Sequence, residues 1–507
     1  MMNYAHDPVI LGIIGAGVMG RGIAQVAAAA DIQVVLYDVN LAVTTDAVQF
    51  IHHMLERAVE KGRMAGADAA RCKALIKTAD SLNAMAETHL VIEAVLEKLE
   101  VKQSLFRQLE SIVSDHCILA TNTSSLSVTA VANAVKTQRR VAGCHFFNPV
   151  PLMRLAEVIG GVRTDKQVID DLSDFVRRIG HTPVQIADTP GFLVNHLGRG
   201  LNTEGLRVLG EGVAQPHVID AVIRDCIGLR MGPFELMDLT ALDVTYPVAE
   251  QIYEQFYHEP RLRPTPALRQ RYTAGLLGRK TGTGFYQYVD GNKVTPPEPE
   301  APAIKPSRKF WVSGKAPALA EKLRTLLSVA GPEMDNHFKP LPDSILLITP
   351  LGLDATTACL QEGLDPARCV AVDMLLNTDK RITLMGCPKT DADIVDAVWS
   401  ILAQTGRRIS VIKDSTGFIA QRIVANIINT ACEIAQLGIA EPSAIDIGAR
   451  LGLGYPTGPL ALGDETGPGV VLELLRNIHA VTGDPRYRPS LWLRRRAELG
   501  LSLLHAE

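Results

Sequence analysis

Apolar and polar positions along the chain change period in a regular order. Val9 to Ile14 is an almost unbroken apolar run, as a strand covered on both faces requires. "GAGVMGRGIAQVAAAA" follows, so the opening reads as strand, tight turn and helix. "DIQVVLYDVN" is a second strand. In "THLVIEAVLEKLEVKQSLFRQLE", a short strand from Leu90 to Glu93 precedes a charged amphipathic helix. "DHCILATNTSSLSV" and "RRVAGCHFF" are further buried strands, and "LMRLAE" is a neighbouring strand after the Asn148-Pro149 turn. Strands alternating with helices predict an α/β domain around an open sheet.

From "DTPGFLVNHL" onward the period becomes helical. The design of residues 188–238 returns 226 positions later without a gap: Asp188 falls on Asp414, Gly191 on Gly417, Phe192 on Phe418, Asp220 on Asp446, and Asp238 on Asp464. Chance does not hold a register over fifty residues, so the pattern predicts a duplicated helical domain. The repeat reaches upstream in faded form. "ARCVAVDMLLN" can be laid on "QRRVAGCHFFN", which puts Met374 at the position of His145, Asn377 at Asn148, and Gln421 at Asn195. The predicted layout is an α/β domain over 1–187, an all-α domain over 188–290, and a proline-rich linker region over 291–342. A reduced α/β segment over 343–412 and a second all-α domain over 413–507 complete it.

Composition narrows the class. A chain of 507 residues is too long for one ordinary core. The net charge of −4 argues against a mainly electrostatic nucleic-acid binder. The eight cysteines form no C-x-x-C pair, which points to reduced thiols, a cytoplasmic setting and no metal site. No apolar run reaches spanning length, and no basic segment precedes the first one, so neither a membrane span nor a signal peptide is expected.

Gly15, Gly17 and Gly20 complete G-x-G-x-x-G between the first strand and helix. The first glycine permits the turn, the second admits a pyrophosphate, and the third lets helix and strand pack closely. Asp38 ends the second strand, 18 residues beyond Gly20. A carboxylate there accepts hydrogen bonds from both ribose hydroxyls and repels a 2′-phosphate, favouring NAD. The alternative role for Asp38 is a helix cap. Ser124 lies in a hydroxyl-rich loop at a strand's carboxyl end, or it is only an N-cap. From spacing alone, Glu97 and Lys102 read as solvent-facing charge. His145 ends one buried strand and Glu157 lies on the next; a carboxylate on one ring nitrogen leaves the other free as a base.

Four segments, "GIIGAGVMGRGIAQVAA", "ATNTSSLSVTAVA", "GCHFFNPVPLMRLAEVI" and "DTPGFLVNHL", resemble the 3-hydroxyacyl-CoA dehydrogenase family. The resemblance covers roughly residues 8–290. It implies a Rossmann NAD-binding domain, His145 as general base, Glu157 as its orienting carboxylate, and Ser124 and Asn195 as polar contacts to the substrate. It further places Glu97, Lys102, Asn148 and Lys280 around the cofactor. The implied reaction oxidises a (S)-3-hydroxyacyl-CoA to the 3-ketoacyl-CoA with NAD. With Met374 in place of a base and no second glycine turn, one working site per chain is expected. Arg139 and Arg140 are expected at a solvated strand entry. Single-copy members are similar in pairing through their helical domains, which implies that the second copy docks on the first as an internal pseudo-dimer; a homo-oligomer stays open. The two-part layout resembles bacterial dehydrogenases of phenylacetate breakdown acting on 3-hydroxyadipyl-CoA. Such a substrate calls for a cation at its terminal carboxylate, with Arg154 and Arg199 as candidates. 3-Hydroxybutyryl-CoA is the alternative substrate, and a non-catalytic NAD-binding structural protein is the alternative class.

Overall fold

Two compact units make up the molecule in a computed structural model that describes residues 3–303 and 308–506. One holds the chain up to residue 196 together with 437–453, the other 197–436 with 454–505.

In the first unit, the apolar run Val9–Ile14 supplies the strand from which the sheet grows in both directions. Its strands are β1 (Ile10–Ile14), β2 (Gln33–Tyr37), β3 (Ile76–Ala79), β4 (Leu90–Glu93), β5 (Ile118–Thr121), β6 (Val141–Phe146), β7 (Leu155–Gly160) and β8 (Thr182–Ala187). Their spatial order is β3-β2-β1-β4-β5-β6-β7-β8. All neighbours run parallel except β6 and β7. The order reverses beside β1, and ligands of open α/β sheets bind at the carboxyl ends of strands at such a reversal. Leu11, Ile13, Val34 and Leu36 are fully buried, packed with Ile23, Ala24 and Ala27 of the helix Val18–Ala29. Each large apolar side chain buried in this way contributes about 1.5–3 kcal/mol. Beyond the edge strand β8, Ala187 N donates to Ile439 O at 2.8 Å, and Ile186 bridges Ala440. The helix Pro442–Gly452 follows and lies against β7 and β8.

The second unit contains a short hairpin, β9 (Gln287–Val289) and β10 (Asn292–Val294), and a five-stranded sheet. The sheet runs in sequential order through β11 (Phe310–Val312), β12 (Ile345–Ile348), β13 (Cys369–Val372), β14 (Arg381–Gly386) and β15 (Arg408–Ile412). Its pairings are parallel, parallel, antiparallel and parallel. The succession from β4 to β8 is the same. Among the described residues, this sheet has no counterpart of the β1–β3 half that carries the glycine turn and Asp38.

The expected linker region 291–342 is corrected by this arrangement. Phe310–Val312 is a strand of the second sheet, and Leu323 and Leu327 of the helix Pro317–Ala330 are in its core. A three-residue strand next to a proline-rich stretch is too short for periodicity to register. Residues 304–307 of that stretch lie outside the described residues.

Helical segments fill the rest of the second unit. Residues 197–210 of the helix Val194–Gly210 cross the helix Ala420–Gln436, where Asn426 Nδ2 donates to Gly200 O at 2.9 Å. These two positions are equivalent in the 226-residue repeat. Around the crossing, the fully buried Glu204 carboxylate accepts from Arg422 and from Tyr487 Oη, and Arg422 also donates to Glu211 at 2.6 Å. Farther out, Arg261 donates to Arg488 O and Arg486 to Arg263 O, at 2.7 and 3.1 Å.

Candidate active site

The carboxyl ends of β1, β4, β5 and β6 bring most of the candidate residues to one edge of the first sheet. After β1, Gly15 takes φ +98°, and a Cβ on Gly20 would stand 1.8 Å from Gly15 O. Only glycine closes that turn. Gly17 is the N-cap of the helix Val18–Ala29, has no side-chain cap, and has open space where a Cβ would stand. A helix N-terminus with uncapped N–H groups beside open space is a cradle for a pyrophosphate. Asp38 Oδ2 accepts from Ala16 N at 2.9 Å, which fixes the carboxylate beside that turn. It does not cap the following helix; Asn40 does. These residues fit a dinucleotide.

Lys102 is not the solvent-facing charge that spacing suggests, whereas Glu97 is exposed, its side chain 37% accessible. Lys102 is 1% exposed and donates to Glu93 Oε1 at 2.6 Å, with Glu97 Oε2 at 3.2 Å. Burying such an ion costs several kcal/mol unless it is well paired, and two carboxylates supply the pairing. Glu97 Oε1 accepts from Thr123 Oγ1 at 2.6 Å, Ser124 N at 2.9 Å and Ser125 N at 3.1 Å. Burial pushes the Glu97 carboxyl up, but Lys102 and these donors outweigh it and hold it below its ordinary value. Ser124 itself is exposed on the loop after β5 and is not a helix cap; Ser127 caps the helix Val128–Ala132.

His145 and Glu157 are direct partners in the antiparallel β6–β7 register. His145 Nδ1 lies 2.6 Å from Glu157 Oε2, and both residues are buried. An ionised carboxylate only accepts, so Nδ1 carries the proton and Nε2 is left as an acceptor. The other Glu157 oxygen accepts from Leu193 N at 3.0 Å and Val194 N at 2.8 Å. Those amides are presented by a left-handed pair, Gly191 at φ +75° and Phe192 at φ +50°. The rings of Phe147 and Phe192 lie 4.5 and 5.9 Å from the imidazole. Asn195 is the second residue of the helix that starts at Val194, and Asn148 is exposed in the turn after β6.

Other candidates fall elsewhere. Lys280 is in the second unit, 60% exposed, and paired with Asp243 at 2.6 Å. Arg140 is buried and donates to the carbonyls of Ser114 and Cys117, which corrects its expected solvated position; Arg139 is exposed. Arg154 is exposed and donates to Gly180 O. Arg199 is buried in the helix Val194–Gly210, and burial pushes its guanidinium down to about 10. Sequence reasoning missed Glu93, which anchors Lys102 and Thr121 Oγ1, and Asn122, whose side chain accepts from Phe146 N at 2.8 Å. Glu93 had a signal, an ionisable residue closing the buried run "LVIE". Among the described residues no cluster could hold a metal ion, the eight cysteines are free thiols, and no helix is long and apolar enough to cross a membrane.

In the second sheet, Met374 lies two residues beyond the end of β13, and carrying the β13–β14 register on from Val372↔Leu384 would set Ile382 opposite it. Neither can move a proton. Gln421 is fully buried and closed on itself, accepting from Gly352 N and donating to Pro350 O and Asp373 Oδ1.

Comparison with known proteins places the chain in a family. Residues 10–189 match the family model of the 3-hydroxyacyl-CoA dehydrogenase NAD binding domain. The model of the 3-hydroxyacyl-CoA dehydrogenase C-terminal domain matches twice, at 191–288 and 417–502. A 3-hydroxyadipyl-CoA dehydrogenase of Escherichia coli K12 is 36% identical over 489 residues, covering 96% of this chain and 97% of that protein. A probable 3-hydroxybutyryl-CoA dehydrogenase of Deinococcus radiodurans is 39% identical, over 55% of this chain and 99% of its own. The crystal structure of a 3-hydroxybutyryl-CoA dehydrogenase from E. coli K12 superposes with a TM-score of 0.86 at 34% identity, covering 97% of this chain and 99% of the other.

Proposed function

The chain belongs to the 3-hydroxyacyl-CoA dehydrogenase family, and we propose that it oxidises 3-hydroxyadipyl-CoA with His145 as base and Glu157 as the base's orienting partner. It is an NAD-dependent oxidoreductase of (S)-3-hydroxyacyl-CoA, giving the 3-ketoacyl-CoA. NAD, when bound, supplies the acceptor for the hydride that leaves C3.

The residues do the rest. The turn from Gly15 to Gly20 takes the pyrophosphate, and Asp38 takes the adenosine ribose. Glu97, Lys102 and Asn148 line the cofactor side, with Lys280 assigned there by resemblance alone. His145 Nε2 accepts the C3 hydroxyl proton. Glu157 keeps Nδ1 protonated and stabilises the imidazolium that results. Ser124 and Asn195 hold the substrate oxygens. The observation that carries this reading is the buried 2.6 Å pair of His145 and Glu157 at the sheet edge that also carries the glycine turn. A non-catalytic structural protein has no use for such a pair.

A six-carbon diacid chain carries a terminal carboxylate, which a buried cation can select. Arg154 and Arg199 are the candidate cations, and Arg199 is buried in the helix Val194–Gly210. The 3-hydroxyadipyl-CoA dehydrogenase name of a relative matching nearly the full chain supports the same choice. The test is a comparison of initial rates with 3-hydroxyadipyl-, 3-hydroxybutyryl- and longer uncharged 3-hydroxyacyl-CoA at equal concentration. A preference for the adipyl substrate that Arg199→Leu abolishes is expected. Equal or faster rates with 3-hydroxybutyryl-CoA would favour that alternative.

The second half is a duplicate without chemistry, and its helical domain takes the place that a partner's surface has in single-copy relatives. The crossing of equivalent positions Gly200 and Asn426 and the reciprocal arginine contacts support this internal pseudo-dimer. Further assembly of whole chains into a homo-oligomer is compatible with it. A cytoplasmic location fits the eight free thiols.

A further inference from the structure

The catalytic carboxylate is held by backbone that the second copy supports. Glu157 Oε1 takes the amide hydrogens of Leu193 and Val194. On their other side lies the helix Pro442–Gly452, which belongs to the second family match yet packs in the first compact unit. Two glycines one turn apart, Gly448 and Gly452, face these residues. A Cβ on Gly448 would stand 2.7 Å from Leu193 Cδ2. One on Gly452 would stand 2.8 and 2.9 Å from the two Val194 methyls and 3.1 Å from Leu155 Cδ2. Leu155 begins the strand that carries Glu157.

The first copy has no such pair. Its equivalent helix, Pro216–Ile227, carries Val222 and Cys226 at the matching positions and packs in the second unit against β14. There Cys226 Sγ lies 3.8 Å from Arg381 O. The strand it covers bears Ile382 where β7 bears Glu157. The glycines thus occur only in the copy whose helix covers the working carboxylate.

We propose that Gly448 and Gly452 are positioning residues for the dehydrogenase reaction: they let the second copy's helix lie close enough to fix the Leu193–Val194 amides, and through them the orientation of Glu157 and His145. This rests on the reading of His145 and Glu157 as the base and its partner. It gives the chemically silent half a role in the working site. The physical cause is steric. Val194 is β-branched and stiff at χ1, so it cannot swing aside from a new methyl as a longer chain could. The backbone must shift instead, and both hydrogen bonds to Glu157 lengthen with it. Displacing a catalytic group by a fraction of an ångström to an ångström is enough to cost rate without removing any reacting atom.

The test uses the full-length enzyme with NAD and a 3-hydroxyacyl-CoA, measuring kcat, KM and NADH affinity for Gly452→Ala, Glu157→Gln, their combination, and Gly452→Ala with Val194→Ala. Gly452→Ala is expected to lower kcat about tenfold with KM and NADH affinity within about twofold. In the Glu157→Gln background the same change is expected to cost nothing further, since the contact acts through that carboxylate. Removing the Val194 methyls is expected to restore most of the lost kcat. Should Gly452→Ala fail to fold, Gly448→Ala with rescue by Leu193→Ala is read in the same way, because its new methyl would stand 2.7 Å from Leu193 Cδ2 and 3.3 Å from Leu193 Cγ. Full activity of Gly452→Ala, an equal loss in the Glu157→Gln background, or absence of rescue would overturn the positioning role. A Glu157→Gln enzyme as fast as the parent would instead overturn the base-pair reading on which it rests.

Discussion

His145 and Glu157 face each other across the one antiparallel pairing of an otherwise parallel eight-stranded sheet. Because β7 runs against β6, its beginning lies at the end of β6, and a carboxylate can stand beside an imidazole at the ligand edge. A parallel neighbour would present its last residues there instead. Glu157→Gln is expected to lower kcat about 10²-fold, since an amide can donate to Nδ1 and favour the wrong tautomer. Steady-state kinetics at saturating NAD would check this.

Asp38 is tied by Ala16 N to the glycine turn. Its carboxylate is expected to pair with ribose hydroxyls and repel a 2′-phosphate. Asp38→Ala is expected to raise the KM for NAD by about tenfold or more and to narrow the preference over NADP, given about 1.5–3 kcal/mol for a hydrogen bond to a charged group. Initial rates with both cofactors measure it.

Asp373, in the second compact unit, offers a pH test of stability. Burial pushes its carboxyl up to about 6, against opposing donors from Gln421 and Leu375. The folded state therefore keeps the proton at pH values where the unfolded state has lost it. Its stabilising contribution is complete below about pH 4 and disappears as pH rises through about 6. Asp373→Asn removes this titration. Its Tm relative to the parent is expected to rise between pH 4 and 7, by an amount on the order of 2–3 kcal/mol in stability. Parallel melting curves for parent and variant would contradict the assignment.

Glu204 is the fully buried anion where the two helical segments cross, accepting from Arg422 and Tyr487. Glu204→Ala strips one carboxylate from buried arginines and is expected to cost about 3–5 kcal/mol. A lowered urea midpoint would report it. A midpoint unchanged from the parent would contradict a stabilising role for this network.

The sequence made the active edge of the first sheet legible because each element there has a local signature. The glycine turn must be glycine, Asp38 ends an apolar run, and His145 and Glu157 interrupt buried strands with ionisable side chains. Lys102 was read wrongly from spacing because its partner, Glu93, lies on a different element nine residues earlier, and pairing is a property of the folded sheet. Arg140 was misread for the same reason, since its acceptors are the carbonyls of Ser114 and Cys117. The second match to the C-terminal family model falls where the ungapped register pointed, but β11 was not legible, being three residues long, with β12 on one side and a single bridge from Phe310 to Met334 on the other. Nor could periodicity reveal that Gly448 and Gly452 meet Leu193 and Val194, some 250 residues earlier in the chain.

The central claim is that the His145 ring takes the proton from the substrate hydroxyl. The direct measurement is the turnover of His145→Ala at saturating NAD and 3-hydroxyacyl-CoA, paired with NADH affinity by fluorescence titration. The account predicts a loss in kcat of about 10²- to 10⁴-fold with NADH still bound as by the parent. Turnover within a few-fold of the parent would contradict it.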